Sequence, residues 1–415
     1  MYRSFENTTI STYCICLGSE ILGNDVRIDP ASIEPHLRTF VKIVMLTDHT
    51  TSIFPEMMGI HRSMSNMTPR ILKLQMIILA ANSIMSCFLA LNSGHCADHR
   101  PRLAILTDIG GDPDDRQSLI RLMVYSNEFR IEALIASAAG TRGELKVSIT
   151  RPELIHEIVD AYGQVRPSLA KHADNWPTVE SLKSVIKSGN RFRQRAHIGE
   201  GHDTDASAHL IERIDAGTHE DRLNISVWGG QTDLAQSLRR VRADRGAQGL
   251  AEFVRKFRVY DIADQDGIAE WMQQEFPGMF YILSKAPKGR DGREAVFRGM
   301  YLTGDESLTS RDWIEANIRS TGPLGALYPT RTANAPNPHG CMKEGDTPSW
   351  FYFLKSGGNE IDDPSKPGWG GQFEKQPSGW YRDLTKKENY DPRATVSRWR
   401  PDFQADFAKR MSWCR

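Results

Sequence analysis

From residue 102 onward the hydrophobic positions alternate between short unbroken runs and stretches with helical spacing. Residues 102–107 (RLAILT) form an apolar run that ends at an acidic, glycine-containing loop. Leu119, Leu122 and Met123 then recur on one face of a helix predicted over 115–125. A second buried strand is predicted over 132–137 (EALIAS), followed by a helix over 152–162. Further along come a strand over 224–228 (NISVW) and a helix over 232–240. Strands over 257–262 and 280–283 flank a helix over 267–275. This order predicts an α/β fold with a mainly parallel sheet flanked by helices. From residue 321 the texture changes to Pro, Gly, Trp and Asn, as in GDTPSW and PSKPGWGGQF. So aromatic a segment is unlike a disordered linker. It is expected to form a loop-rich C-terminal part over the carboxyl edge of the sheet.

The first hundred residues read differently. Residues 70–97 open with basic Arg70 and Lys73, continue through an apolar run over 76–91, and end in small and polar residues at Ala97. That is the order of a secretory signal peptide. The run is short for a membrane span and is interrupted by Asn82 and Ser83. A mature form with no stable span is therefore expected. Residues 67–97 are assigned as the signal and 98–415 as the mature domain, although His95 fits poorly at the third position before the cut. Residues 1–66 lack any sustained period and precede a signal that ought to begin the chain. With Met64 and Met67 just upstream of the signal, they read as a non-native or unstructured extension. The expected location is secreted or periplasmic.

Lys+Arg and Asp+Glu both number 52, so the formal net charge is zero. Nothing in that balance draws the chain toward nucleic acid. Of the six cysteines only Cys341 and Cys414 fall in the mature part. In an oxidising compartment they could form one disulfide.

The candidate chemistry lies in TDIGGDPDD, residues 107–115. Asp108, Asp112, Asp114 and Asp115 crowd the carboxyl end of a strand, where open α/β sheets bind ligands. Mutual repulsion makes such a cluster costly unless a cation or protons neutralise it. Hard oxygen ligands at this density favour Ca²⁺ or Mg²⁺ over zinc. The competing reading is a solvated acidic turn in which Asp114 or Asp115 caps the next helix.

A strand ending in TD, a glycine and a DD pair opening a helix resembles the N-terminal signature of the inosine–uridine-type nucleoside hydrolases. The longer run TDIGGDPDDRQSLIRLMVYSNEFRIEALIA is similar to secreted bacterial cellulose-binding proteins with a nucleoside-hydrolase-like N-terminal domain. VWGGQTDLAQSL, YDIADQDGIAEWMQQEFPGMFYI and GDTPSWFYFL agree, so the resemblance runs from about residue 102 to 414. That family usually continues into a β-sandwich, and the chain reads as the front of a longer architecture.

The resemblance implies bound Ca²⁺ with a defined ligand set. Asp114 and Asp115 match the DD pair, Trp228 the residue offering a carbonyl before a glycine pair, and Asp346 the late aspartate. The upstream aspartate, a ligand and the base that activates water, has two counterparts. Asp108 is preferred because it directly follows the strand, and Asp112 competes. The positions that hold ribose in the hydrolases fall on Arg258 and Tyr260, and a customary His is replaced by Gly345. Ordinary inosine and uridine are therefore expected to be poor substrates. Tyr260, Asp264 and Trp369 are the candidate substrate contacts, and Glu344 or His339 could supply an acid. The expected function is a metal-dependent hydrolase acting on an N- or O-glycosidic bond of a nucleoside or saccharide. The rival is a carbohydrate-binding, cellulose-type domain that keeps the metal site with little turnover. A homo-oligomer is compatible with either.

Overall fold

The computed structural model describes residues 98–330 and 341–415. The extension, the signal, the four cysteines before residue 97 and His339 all lie outside the described residues. Among the described residues no helix is long and apolar enough to cross a membrane.

Strand β1 (Arg102–Thr107) is buried at every position. Its side chains alternate between faces, as a strand requires. Leu103 and Ile105 join one apolar cluster, and Ala104 and Leu106 join the other. A strand covered on both faces has no polar side to show, which explains the unbroken run in the sequence. Helix α1 (Asp114–Met123) leads to β2 (Arg130–Ala136). Then follow α2 (Pro152–Leu169), α3 (Val179–Ser184), β3 (Ile186–Ser188) and α4 (Asp205–Asp215). The middle of the chain holds β4 (Leu223–Val227), α5 (Gln231–Phe253), β5 (Phe257–Ile262), α6 (Ala269–Glu275) and β6 (Phe280–Ser284). Two short strands, β7 (Phe373–Lys375) and β8 (Tyr381–Asp383), complete an eight-stranded sheet.

The strand order is β3-β2-β1-β4-β5-β6-β8-β7, parallel throughout except for the β7–β8 pair. The chain therefore starts in the middle, works outward through β2 and β3, and returns to the other side of β1 at β4. The loops leaving β1 and β4 diverge at that reversal and open a crevice at the carboxyl edge. This is the topological switch point where doubly wound sheets bind ligands.

The predicted strands over 102–107 and 257–262 coincide with β1 and β5, and the other predicted elements differ at their ends. The helices over 152–162 and 232–240 continue into α2 and α5, because exposed polar faces hide their length. The aromatic C-terminal part is loop-rich, as expected, and most of its rings turn inward. Trp350, Phe351, Tyr352 and Phe373 belong to the core on one face of the sheet, and Trp380 to the core on the other. They fill the interior instead of forming a loose cover. Cys341 and Cys414 are both buried and free, so the single disulfide is not formed.

One polar network ties this part to the front of the chain. Arg121 on α1 pairs with Glu344, 223 residues away, and both side chains are fully buried. Arg121 also donates to Gln404 at 2.7 Å, and Tyr328 donates its hydroxyl to Glu344. Glu344 is thus a structural anion, not a free acid. Removing one partner of a buried pair strands the other without compensation. Glu344→Ala should cost about 3–5 kcal/mol of unfolding free energy in a denaturant titration, and a loss below 1 kcal/mol would contradict this description.

Candidate metal centre

The loop after β1 turns its acidic residues toward the crevice. Asp108 is 3% exposed, Asp115 4% and Asp346 2%, with Asp114 half-buried. Asp114, Asp115 and Asp346 each offer a carboxylate oxygen, and these oxygens lie within 4.8 Å of one another. Asp108 stands beside them, within hydrogen-bonding reach of Asp115.

Neither acidic segment is used as a helix cap. Pro113 is the cap residue of α1, with no side-chain capping bond. Asp346 precedes helix α7 (Thr347–Phe351) and also makes no capping bond. Its Oδ2 is buried without any hydrogen-bond donor. A buried carboxylate oxygen with no donor, set among like charges, is what a hard cation would satisfy. The residues present therefore fit a metal ion, and the centre could hold one.

Two features of the sequence bring these groups together. Gln117 and Arg121, one turn apart on α1, grip the incoming segment. Gln117 donates to the carbonyls of Pro329 and Cys341, both at 2.9 Å, and accepts from the Lys343 N–H at 2.8 Å. With the Arg121–Glu344 pair, this delivers Asp346 to the crevice. On the other side, a side chain at Gly229 would place its Cβ 2.7 Å from that of Asp108. Gly230 has φ +82° and faces Ser137. Only glycine lets the β4 loop pass this close.

Burial dominates the electrostatics. It pushes the Asp108 carboxyl up to about 6, against the opposing pull of Arg193. Burial, reinforced by the Asp108 charge, pushes Asp114 up to about 7. Asp115 and Asp346 are driven well above the ordinary range by burial and then by their acidic neighbours. Arg193 donates to Asp108 Oδ2 at 3.1 Å, and to the carbonyls of Ala138 and Gly140. It also faces Asp266 Oδ1 at 3.7 Å. Arg193 and Gln117 were missed from sequence because nothing local marks a distant partner. Their only signal was polarity within stretches that become buried.

The remaining candidates have partners of their own. Asp112 pairs with Lys343 and lies outside the acidic triplet. The Trp228 carbonyl accepts from the Gln265 side chain. The strand register sets Tyr260 level with Ser226 and Ile105, short of the carboxyl edge. Tyr260 is fully buried, with its hydroxyl donating to Gly370 O at 3.0 Å. Arg258 is two residues further from that edge and pairs with Asp362 at 2.8 Å. Neither reaches the crevice, so their identity says nothing about how ribose would be held. Asp264 accepts from Ala269 N–H at 2.9 Å and pairs with Lys285 at 2.9 Å. Trp369 is half-buried and packs against Phe351 and Phe403 at the margin of the core. What does approach is the turn after β5. Ala263 and Asp264 there hold consecutive positive φ angles of 71° and 54°, rare for residues with side chains, and Gln265 points inward.

Residues 102–373 match the family described as cellulose-binding Sde182, nucleoside hydrolase-like domain. A solved structure of a nucleoside hydrolase-related hypothetical protein from Saccharophagus degradans, associated with carbohydrate metabolism, is 30% identical. The similarity covers 76% of this chain and 72% of that one, with a TM-score of 0.61. The effector protein XOO4466 is 10% identical with a TM-score of 0.40, over 76% of this chain and 94% of that one, which is too remote to inform the site. No curated protein matches the chain significantly.

The raised carboxyl groups set a pH dependence. Each binds its proton more tightly when folded than when unfolded. Their contribution to stability is therefore complete below the ordinary value of 3.8 and is lost as pH rises through about 6 to 7. The chelator-treated protein should show this component as a melting temperature that falls between pH 4 and 7. Asp114→Asn should flatten that fall. A slope unchanged by this substitution would show that these groups do not titrate as described.

Proposed function

Since the chain belongs to the Sde182 cellulose-binding family with its nucleoside hydrolase-like domain, we propose that it is a Ca²⁺-dependent hydrolase of a glycosidic bond, with a nucleoside or a saccharide as substrate. The observation that carries this reading is the convergence of Asp114, Asp115 and Asp346 around a buried, donorless oxygen, with Asp108 alongside. Asp114, Asp115 and Asp346 would hold the cation, and the carboxylate-only set favours Ca²⁺ over Mg²⁺. When bound, such a cation supplies positive charge that acidifies water and orients sugar hydroxyls.

The protein's own groups carry the rest. Asp108 takes the proton of the attacking water, since it stands beside the three carboxylates that would hold the cation. Arg193 fixes the rotamer of Asp108 through its 3.1 Å hydrogen bond. The carboxylates around the crevice favour the positive charge that develops on the sugar as the bond to the leaving group breaks. Glu344 is committed to Arg121 and supplies no proton to the leaving group. Substrates whose leaving group departs unaided, such as aryl glycosides, should react most readily. The 67–97 segment supports export, so the working location is secreted or periplasmic.

A second reading is favoured by the cellulose-binding description of the family. In it the same centre organises a carbohydrate surface with little turnover. The two separate in one assay: release of nitrophenol from aryl glycosides supports the hydrolase, while oligosaccharide binding without release supports the binding domain.

Calcium at a hundredfold excess over its dissociation constant should stabilise the protein by about 2.7 kcal/mol, read as a rise in melting temperature. Asp346→Asn should remove most of that rise. Identical melting curves in calcium and in chelator would refute the metal assignment. Where turnover is seen, Asp108→Asn should lower kcat by at least about 100-fold while the calcium shift persists. Retained kcat would transfer the base role to another group.

A further inference from the structure

The loops that follow β2 and β3 enclose a cleft of about 240 Å³ at the same carboxyl edge. Three arginines line it, Arg142, Arg191 and Arg193, together with Val147, Phe192 and His197, and no carboxylate does. Arg142 and Arg191 are exposed, and neither forms an ion pair among the described residues. Arg191 lies over the Phe192 ring at 4.8 Å, and Phe192 stacks on His197 at 4.6 Å. Arg193 is different. Its side chain is 9% exposed and its Nη1 is buried without a hydrogen-bond acceptor, the ion-pair distance to Asp266 being 3.7 Å. Its Nη2 is the atom that holds Asp108.

The chain carries no formal net charge. Arg142 and Arg191, without an ion pair among the described residues and set beside Arg193, are therefore a local feature and not the by-product of a basic protein. Guanidinium forks match the planar oxygens of a carboxylate and the tetrahedral oxygens of a phosphate. Val147 and Phe192, 66% and 37% exposed, add apolar contact on the two loops. A neutral glucan uses none of this charge.

We propose that this cleft is a subsite for an anionic group, a carboxylate or a phosphate, on a glycoside whose scissile sugar lies at Asp108. The inference rests on the hydrolase reading for the position of the sugar. Arg193 joins the two parts, because one guanidinium borders the anion and orients the proton acceptor. The substrate class becomes acidic: a uronate-bearing saccharide or a phosphorylated nucleoside.

Calorimetric titration of the full chain in calcium tests this. The anionic probes are trigalacturonate and uridine 5′-monophosphate, and the neutral controls are galactotriose and uridine. At least one anionic probe should bind on the order of tenfold more tightly than its control, and the preference should weaken as salt is raised. Preference for trigalacturonate assigns a saccharide, and preference for the monophosphate assigns a nucleotide. The double variant Arg142→Ala/Arg191→Ala should abolish the preference and leave the calcium-induced melting shift unchanged. Equal binding of anionic and neutral probes overturns the proposal, as does a preference that survives in the double variant. The calcium shift is read on the same samples. Its absence alongside a persisting anion preference would sink the metal assignment and leave the cleft standing.

Discussion

Four carboxylates withheld from water in one crevice repel one another, and the surrounding structure is arranged around that repulsion. Burial, reinforced by acidic neighbours, pushes Asp108 and Asp114 up to about 6 and 7, and drives Asp115 and Asp346 well above the ordinary range. Such a cluster survives only if protons, a guanidinium or a cation answers it. Arg193 answers part, and only at Asp108 among the clustered four. The triplet of Asp114, Asp115 and Asp346 has no ion pair among the described residues and could hold a metal ion. An apolar or singly charged site would not need Gln117 and Arg121 to clamp the opposing segment, nor a glycine pair to bring the β4 loop against Asp108.

The sheet topology makes that concentration of charge possible. Because β1 and β4 are neighbours whose chain connections run in opposite directions, their loops part company at the carboxyl edge. The gap admits side chains from both loops and from the C-terminal part without filling it. The two clefts at this edge differ in sign. One is acidic and centred on β1, and the other is cationic and bounded by the β2 and β3 loops, with Arg193 between them. A ligand lying across both would carry a cationic transition state at one end and an anion at the other.

Much of the front half was legible in the sequence, for a physical reason. Strand β1 is covered on both faces, so its apolar run could not be confused with an amphipathic surface. Asp108, Asp114 and Asp115 are close in sequence, so their crowding was visible before any folding was known. Asp346 was reached only through resemblance, and the structure brings it to the pair. Tyr260 and Arg258 illustrate the failure. A shift along one strand moves a residue out of the crevice, and nothing in single-sequence pattern fixes that register. Trp369 stood out as a sugar contact because Gly and Pro surround it, yet its half-buried ring packs against Phe351 and Phe403. Arg193 was invisible, since its role depends on partners from three separate loops.

The pairing of Arg121 with Glu344 across 223 residues has a temporal meaning. During synthesis the β1 loop emerges long before the segment that carries Asp346, and non-local contacts close late because loop entropy opposes them. For that interval Asp114 and Asp115 stand without Asp346, the third member of the acidic triplet. Assembly of the centre is therefore a final, long-range step. A cation captured there would act as a checkpoint, favouring only those chains whose last third has docked in register.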